Sequence, residues 1–168
     1  IMANIEKFQN MPDAVRSING FSHIGYTPQT AIADIIDNSI AAGATKIHVK
    51  ISEKFRGTTV YIADNGSGMS RSRLKEAMKL GSSSELQNSA LSVYGLGFKL
   101  ASLSFAPRFT MISRDTMGDL NSATFDKADQ AENPWQTSIT DEPLKQHLDI
   151  LNAATLSGPG TVLVWEDA

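Results

Sequence analysis

Four short stretches carry residue types that could do chemistry. In Ala33-Asp34-Ile35-Ile36-Asp37-Asn38-Ser39, Asp34 and Asn38 stand four apart, so on a helix they project from one face. An amide oxygen can ligate a hard cation such as Mg²⁺, and a carboxylate one turn earlier can orient water. The pair therefore suits a metal-phosphate site with a general base; two solvated polar residues on a helix are the other reading. Ala63-Asp64-Asn65-Gly66-Ser67-Gly68-Met69 places a carboxylate and two glycines directly after a strand-like run, where Asn-Gly also makes a plain hairpin turn. Too few carboxylates follow Asp64 for a calcium loop. Tyr94-Gly95-Leu96-Gly97-Phe98-Lys99 offers backbone amides and one ammonium to a phosphate. It lacks the glycine spacing of a P-loop. It also lacks the dinucleotide fingerprint, because Leu100 stands where a third small residue belongs and a Ser-rich stretch precedes it instead of a strand. Gly158-Pro159-Gly160-Thr161, ahead of Val162-Leu163-Val164-Trp165, is by itself a strand entry.

These stretches need elements to hold them. Thr27-Pro28 starts a helix, with Thr as N-cap and Pro at the first helical position; Ala31, Ile32, Ile35, Ile36 and Ile40 form its apolar stripe and Gly43 its stop. Period-two alternation over Thr45–Ile51 and Thr58–Ala63, with a turn at Arg56-Gly57, predicts a hairpin. A helix from Arg71 to Leu80 ends at Gly81, the Ser/Asn-rich stretch Ser82–Ser92 reads as loop, and a short helix follows Gly97. Strands are expected at Arg108–Ser113, Ser122–Phe125, Trp135–Ile139 and Thr161–Trp165, with a helix at Pro143–Leu151. Helices and largely antiparallel strands in one core predict an α+β fold, a two-layer α/β sandwich.

Composition narrows the class. At 168 residues with 41% hydrophobic side chains, the chain builds one core and reads as a single domain, 1–168. A net charge of −3 and a pI near 5.6 leave no electrostatic footprint for nucleic acid or an anionic membrane. With no cysteine and three scattered histidines, a structural zinc site and a disulfide framework are excluded. No apolar run approaches the roughly 20 residues of a membrane span, and the first ten residues hold no signal-peptide core. The expectation is a cytoplasmic domain and, because Val164–Ala168 stops just past a strand-like run, the N-terminal part of a longer protein.

Together and in this order, the four stretches resemble the nucleotide site of the GHKL superfamily, named for gyrase, heat-shock chaperones, histidine kinases and MutL. The resemblance covers about Thr27 to Trp165. The spelling of Leu80-Gly81-Ser82-Ser83-Ser84, Tyr94-Gly95-Leu96-Gly97-Phe98-Lys99 and Gly160-Thr161 looks like the MORC-like and heat-shock-chaperone-like ATPase branch. The resemblance implies a Bergerat-type fold, a mixed, mostly antiparallel sheet covered on one face by helices, that binds ATP or ADP with Mg²⁺ beneath an ATP lid at 82–94. In that likeness Asp64 accepts from the adenine amino group with Thr161 assisting, while Gly66, Gly68 and Met69 line the base. Asn38 ligates Mg²⁺. Ser82, Ser83 and Ser84 border the lid, and Tyr94, Gly95, Leu96, Gly97, Phe98 and Lys99 meet the phosphates. Asp34 stands where the family carries a Glu as general base, which implies slow hydrolysis. Ala41 replaces an Asp common among relatives, leaving that acid's supporting role unassigned. A homodimer formed on ATP binding and a downstream transducer-type domain are the implied partners. A non-hydrolysing ATP switch and a histidine kinase catalytic domain are the alternatives, the second disfavoured by the spelling of the glycine and Gly-Thr motifs.

Overall fold

The computed structural model describes residues 7–55, 57–79 and 97–168. In chain order the elements are α1 (Ala14–Phe21), α2 (Pro28–Ala41), β1 (Ile47–Lys54), β2 (Gly57–Asp64), α3 (Arg71–Met78), α4 (Gly97–Phe105), β3 (Arg108–Arg114), β4 (Leu120–Asp126), β5 (Ser138–Thr140), α5 (Lys145–Thr155) and β6 (Gly160–Glu166). A 3₁₀ turn, Ala128–Ala131, follows β4.

The strands form one six-stranded sheet in the order β1-β2-β6-β3-β4-β5, and every described pairing is antiparallel. Strand alternation sorts its side chains. Val60, Ile62, Phe109, Met111, Leu163 and Trp165 face the main core, packed with Ile18 of α1, Ala31 and Ile35 of α2, Leu74 of α3 and Leu103 of α4. A side chain buried as fully as Leu74 or Leu103 contributes about 1.5–3 kcal/mol relative to exposure. Trp165 stacks on Phe105 with centroids 5.9 Å apart, and its Nε1 donates to Ser102 Oγ at 2.8 Å.

The expected α+β sandwich is present, with α1–α4 on one face. The opposite face is not bare: α5 lies there, with Leu151 and Ala154 against Tyr61, Ile112, Val162 and Val164. Boundaries also differ from the sequence reading. Helix α1 escaped it although Asp13 caps it, accepting from the Arg16 N–H at 2.8 Å; at eight residues it is too short for its apolar period to stand out. The expected strand at 135–139 is shorter and later, since Trp135 takes a left-handed φ of 61° and cannot sit in a ladder.

Helix α2 carries two of the chemistry-bearing residues, and its start follows the sequence closely. Thr27 Oγ1 accepts from the Thr30 backbone N–H while Thr30 Oγ1 accepts from that of Thr27, a reciprocal capping box. At the other end Gly43, at φ +76°, turns the chain into β1.

Candidate functional site

Three polar side chains line up across the sheet. Asp64 at the end of β2 is paired with Thr161 of β6, and Thr161 with Ser113 of β3. Period-two counting from Ile62, Leu163 and Met111 puts all three on the helix-covered face. The sheet thus ends there in a polar row roofed by α2 and the 65–69 loop.

Asp64 is buried, at 7% exposure, and both of its oxygens are held. Ser39 of α2 donates its hydroxyl to Oδ2 at 2.9 Å, and the Gly66 backbone N–H donates to Oδ1 at 2.8 Å. Burial raises the carboxyl above the usual carboxylate range, and the donors from Gly66, Ser39 and the Thr161 backbone partly offset that. Three donors leave one of the roughly four lone-pair positions of the carboxylate open, so an ionised Asp64 remains an acceptor with fixed direction. Helix α2 and the loop are locked together: Ser67 N–H donates to Ala42 O at 3.0 Å, and Asn65 Oδ1 accepts from the Thr45 and Lys46 amides at 2.9 and 2.8 Å.

The glycines are there for the protein's own backbone. A Cβ on Gly68, whose φ is +63°, would lie 1.8 Å from Arg114 O; one on Gly160 would lie 2.2 Å from Asp64 O. Gly66 is less tight, with Ala42 O at 2.9 Å from such a Cβ. Ser113 ties β3 to β6 and to the 65–69 loop at this end. Its Oγ accepts from the Met69 N–H at 2.8 Å and lies 2.8 Å from Thr161 Oγ1 and 3.2 Å from Gly160 O.

On α2, Asp34 is half-buried and takes a hydrogen bond from the Tyr26 hydroxyl to Oδ2 at 2.9 Å; burial and this carboxylate raise the Tyr26 phenol above its ordinary value. Asn38, one turn on, is exposed, and no described residue hydrogen-bonds its amide. Among the described residues no cluster of three or more His, Asp or Glu exists that could cage a metal. An amide oxygen is a hard neutral donor of the kind Mg²⁺ accepts alongside waters and phosphate oxygens, so Asn38 fits that ion. The buried acceptor Asp64 likewise fits a base that donates from an amino group.

The structure therefore gathers Asp34, Asn38, Asp64, Gly66, Gly68, Met69 and Thr161 on α2, the 65–69 loop and the adjoining strand ends. Ser82, Ser83, Ser84, Tyr94, Gly95 and Leu96, with the lid assigned to 82–94, lie outside the described residues. Gly97 opens α4, and Phe98 packs edge-on against Phe109, centroids 6.5 Å apart. Lys99 points inward: only 1% exposed, it donates Nζ to the Lys79 carbonyl. Two side chains escaped the sequence reading, Ser39 and Ser113. Each is a small polar residue at a core-facing position of its element, and that mismatch was their signal.

Burial lowers the Lys99 ammonium to about 8, against a small opposing influence from Glu76. Between pH 8 and the unfolded value of 10.5 the folded chain holds fewer protons than the unfolded one, so stability rises with pH across that window. Lys99→Met should lack this rise, a difference of about 1–3 kcal/mol from wild type read by denaturant unfolding at pH 7.5 and 10.5.

Two surface hollows lie elsewhere: ≈ 470 Å³ beside Met78, Phe125, Trp135 and Ile139, and ≈ 320 Å³ beside His48, Tyr61 and Ile150. Neither is lined by a carboxylate, so the site is assigned by its chemistry and not by the size of a cavity.

A buried, doubly held carboxylate beside a helix bearing an acid and an amide one turn apart has donors and acceptors of the kind that suit a nucleotide. Comparison with known proteins gives the class. Residues 26–155 match the profile of the family described as histidine kinase-, DNA gyrase B-, and HSP90-like ATPase, and the chain belongs to that family. It is similar to the DNA mismatch repair protein MutL of Shewanella woodyi, 34% identical over 92 residues, and to that of Shewanella sediminis, 36% over 92. It is also similar to Protein MICRORCHIDIA 1 of Arabidopsis thaliana, 32% identical over 93 residues. Each match covers 52% of this chain and 15% of the relative, so the chain spans a small part of these proteins' length. Membership brings ATP binding and an ATPase-type domain, in agreement with the resemblance read from the motifs. No described helix is long and apolar enough to cross a membrane.

Proposed function

We propose that this domain binds Mg-ATP at Asp64 and Asn38 and hydrolyses it slowly, with Asp34 as general base. The observation that carries the reading is the Asp64 carboxylate, buried and aimed by Ser39 and Gly66 beside a helix that presents Asp34 and Asn38 one turn apart. Asp64 accepts from the adenine amino group, with Thr161 beside it, and Met69 and the 66–68 backbone flank the base. Mg²⁺ on Asn38 would neutralise phosphate charge. Asp34 orients a water and takes its proton as the oxygen attacks the terminal phosphorus, and the bond to the bridging oxygen breaks to release ADP and phosphate.

The phosphates are placed near residues 82–84 and 94–97, with Phe98 beside them and Lys99 adding positive charge after a rearrangement of its present inward contact. In this proposal nucleotide gates closure of the 82–94 lid and formation of a homodimer, in a cytoplasmic, longer protein with a downstream transducer-type domain. The test is phosphate release from saturating Mg-ATP by the full-length protein, wild type beside Asp34→Asn, with nucleotide binding confirmed in both. Turnover in wild type that falls about 10²-fold or more in Asp34→Asn is expected; equal turnover removes Asp34 from catalysis.

One observation favours a second reading, a switch that binds ATP without turnover. Asp is a methylene shorter than Glu, and its Oδ2 already takes the Tyr26 hydroxyl. Tight Mg-ATP binding with no phosphate release by wild type would select that reading.

A further inference from the structure

We propose that Tyr26 is a positioning residue for Asp34, holding the shortened acid in the one orientation from which it can accept a proton from water. The inference rests on the hydrolysis reading above and deepens it.

Tyr26 stands immediately before the N-cap Thr27, and its ring packs against the main core, so its hydroxyl is carried on a fixed body. Gly25, at φ +87°, turns the chain into this position. Asp34 lies eight residues later, about two helical turns into α2. Helical side chains lean toward the N-terminus, so Asp34 leans back toward Tyr26, and the two meet at 2.9 Å. A short carboxylate on a helix otherwise has a choice of rotamers. The phenol removes that choice by binding Oδ2 and leaves Oδ1, which takes no hydrogen bond from any described residue, as the free acceptor. The same contact sets the reach of the acid. A misplacement of about 1 Å is enough to cost roughly 10²-fold in rate, which is the scale of the fault that an Asp in place of Glu introduces.

The test is steady-state Mg-ATP hydrolysis by the full-length protein in four forms: wild type, Tyr26→Phe, Asp34→Asn and the double variant. Phenylalanine keeps the ring in the core and deletes only the hydroxyl, and thermal unfolding of each form checks the fold. The expected result is a kcat about 10- to 100-fold lower in Tyr26→Phe with KM for ATP within about twofold, and no further loss when Tyr26→Phe is added to Asp34→Asn. A merely structural tie would lower stability and raise KM without this split, and that result overturns the proposal. So does full kcat in Tyr26→Phe while Asp34→Asn is inactive, a result that leaves the hydrolysis reading standing. Equal turnover in wild type and Asp34→Asn removes Asp34 from catalysis, and no turnover in wild type despite Mg-ATP binding overturns the hydrolysis reading itself; either result overturns Tyr26's role with it.

Discussion

Asp64→Asn should lose ATP affinity by about 100-fold or more while keeping the fold. The amide oxygen can still accept from the Gly66 N–H, and the Ser39 hydroxyl can reverse and accept from the new amine, so the buried contacts survive the exchange. What is lost is an ionised acceptor facing the exocyclic amine of the base. A charge-assisted hydrogen bond contributes about 1.5–3 kcal/mol, and a donor facing a donor in a buried site costs about 1–3 kcal/mol more. At roughly 1.4 kcal/mol per factor of ten, the sum of about 2.5–6 kcal/mol runs from nearly 100-fold upward. The new amine suits the carbonyl of guanine, so the ratio of GTP to ATP affinity should rise. Titration calorimetry with both nucleotides reads this, and undiminished ATP affinity in a folded variant would show that the base is not held by Asp64.

The largest effect on stability belongs to Gly68→Ala. The site must accept both a left-handed backbone, φ +63°, and a methyl placed 1.8 Å from the Arg114 carbonyl oxygen. That oxygen is fixed backbone at the end of β3, whose side chain is itself tied to Asn152 Oδ1 at 2.8 Å and Gly158 O at 3.2 Å. The strand end cannot retreat without breaking those contacts, so the loop must leave, taking the bond between the Met69 N–H and Ser113 with it. A destabilisation of about 3 kcal/mol or more is expected from clash, strain and the orphaned amide together. Gly118→Ala is the control. It shares a positive φ, +92°, but nothing lies within 4 Å of the added methyl, so only the backbone preference of about 1 kcal/mol is at stake. Equal losses in the two variants by chemical denaturation would refute the steric account.

Much of this site could be read from the sequence, because its members belong to local patterns. Asp34 and Asn38 announced themselves by spacing on a helix whose cap and stop were explicit, and Asp64 by the glycines behind it. What the sequence could not display was the row Asp64, Thr161 and Ser113, since it depends on pairing strands far apart in the chain, β6 with both β2 and β3. Lys99 illustrates a different limit. A lysine after two glycines is commonly a phosphate ligand, and nothing in its neighbours in sequence tells that the Lys79 carbonyl waits within reach. The Tyr26 contact and the placement of α5 were hidden for the same reason: one reaches across two turns of helix, and the other, a helix expected from the sequence, covers a face whose exposure only the completed sheet reveals.

The place of β6 in the sheet has a kinetic meaning. Of the six described strands, the latest in the sequence is also the one that lies between β2 and β3. Until residues 160–166 are made, the β1–β2 hairpin and the β3–β4–β5 ribbon have open inner edges and no partner for one another, and Asp64 has no Thr161 beside it. Such long-range closure is slow, and unpaired edges are adhesive while they wait. The six-stranded sheet is thus built to complete the polar row at Asp64 and to cover its inner edges in one late step, when a single central strand joins two halves that precede it in the sequence.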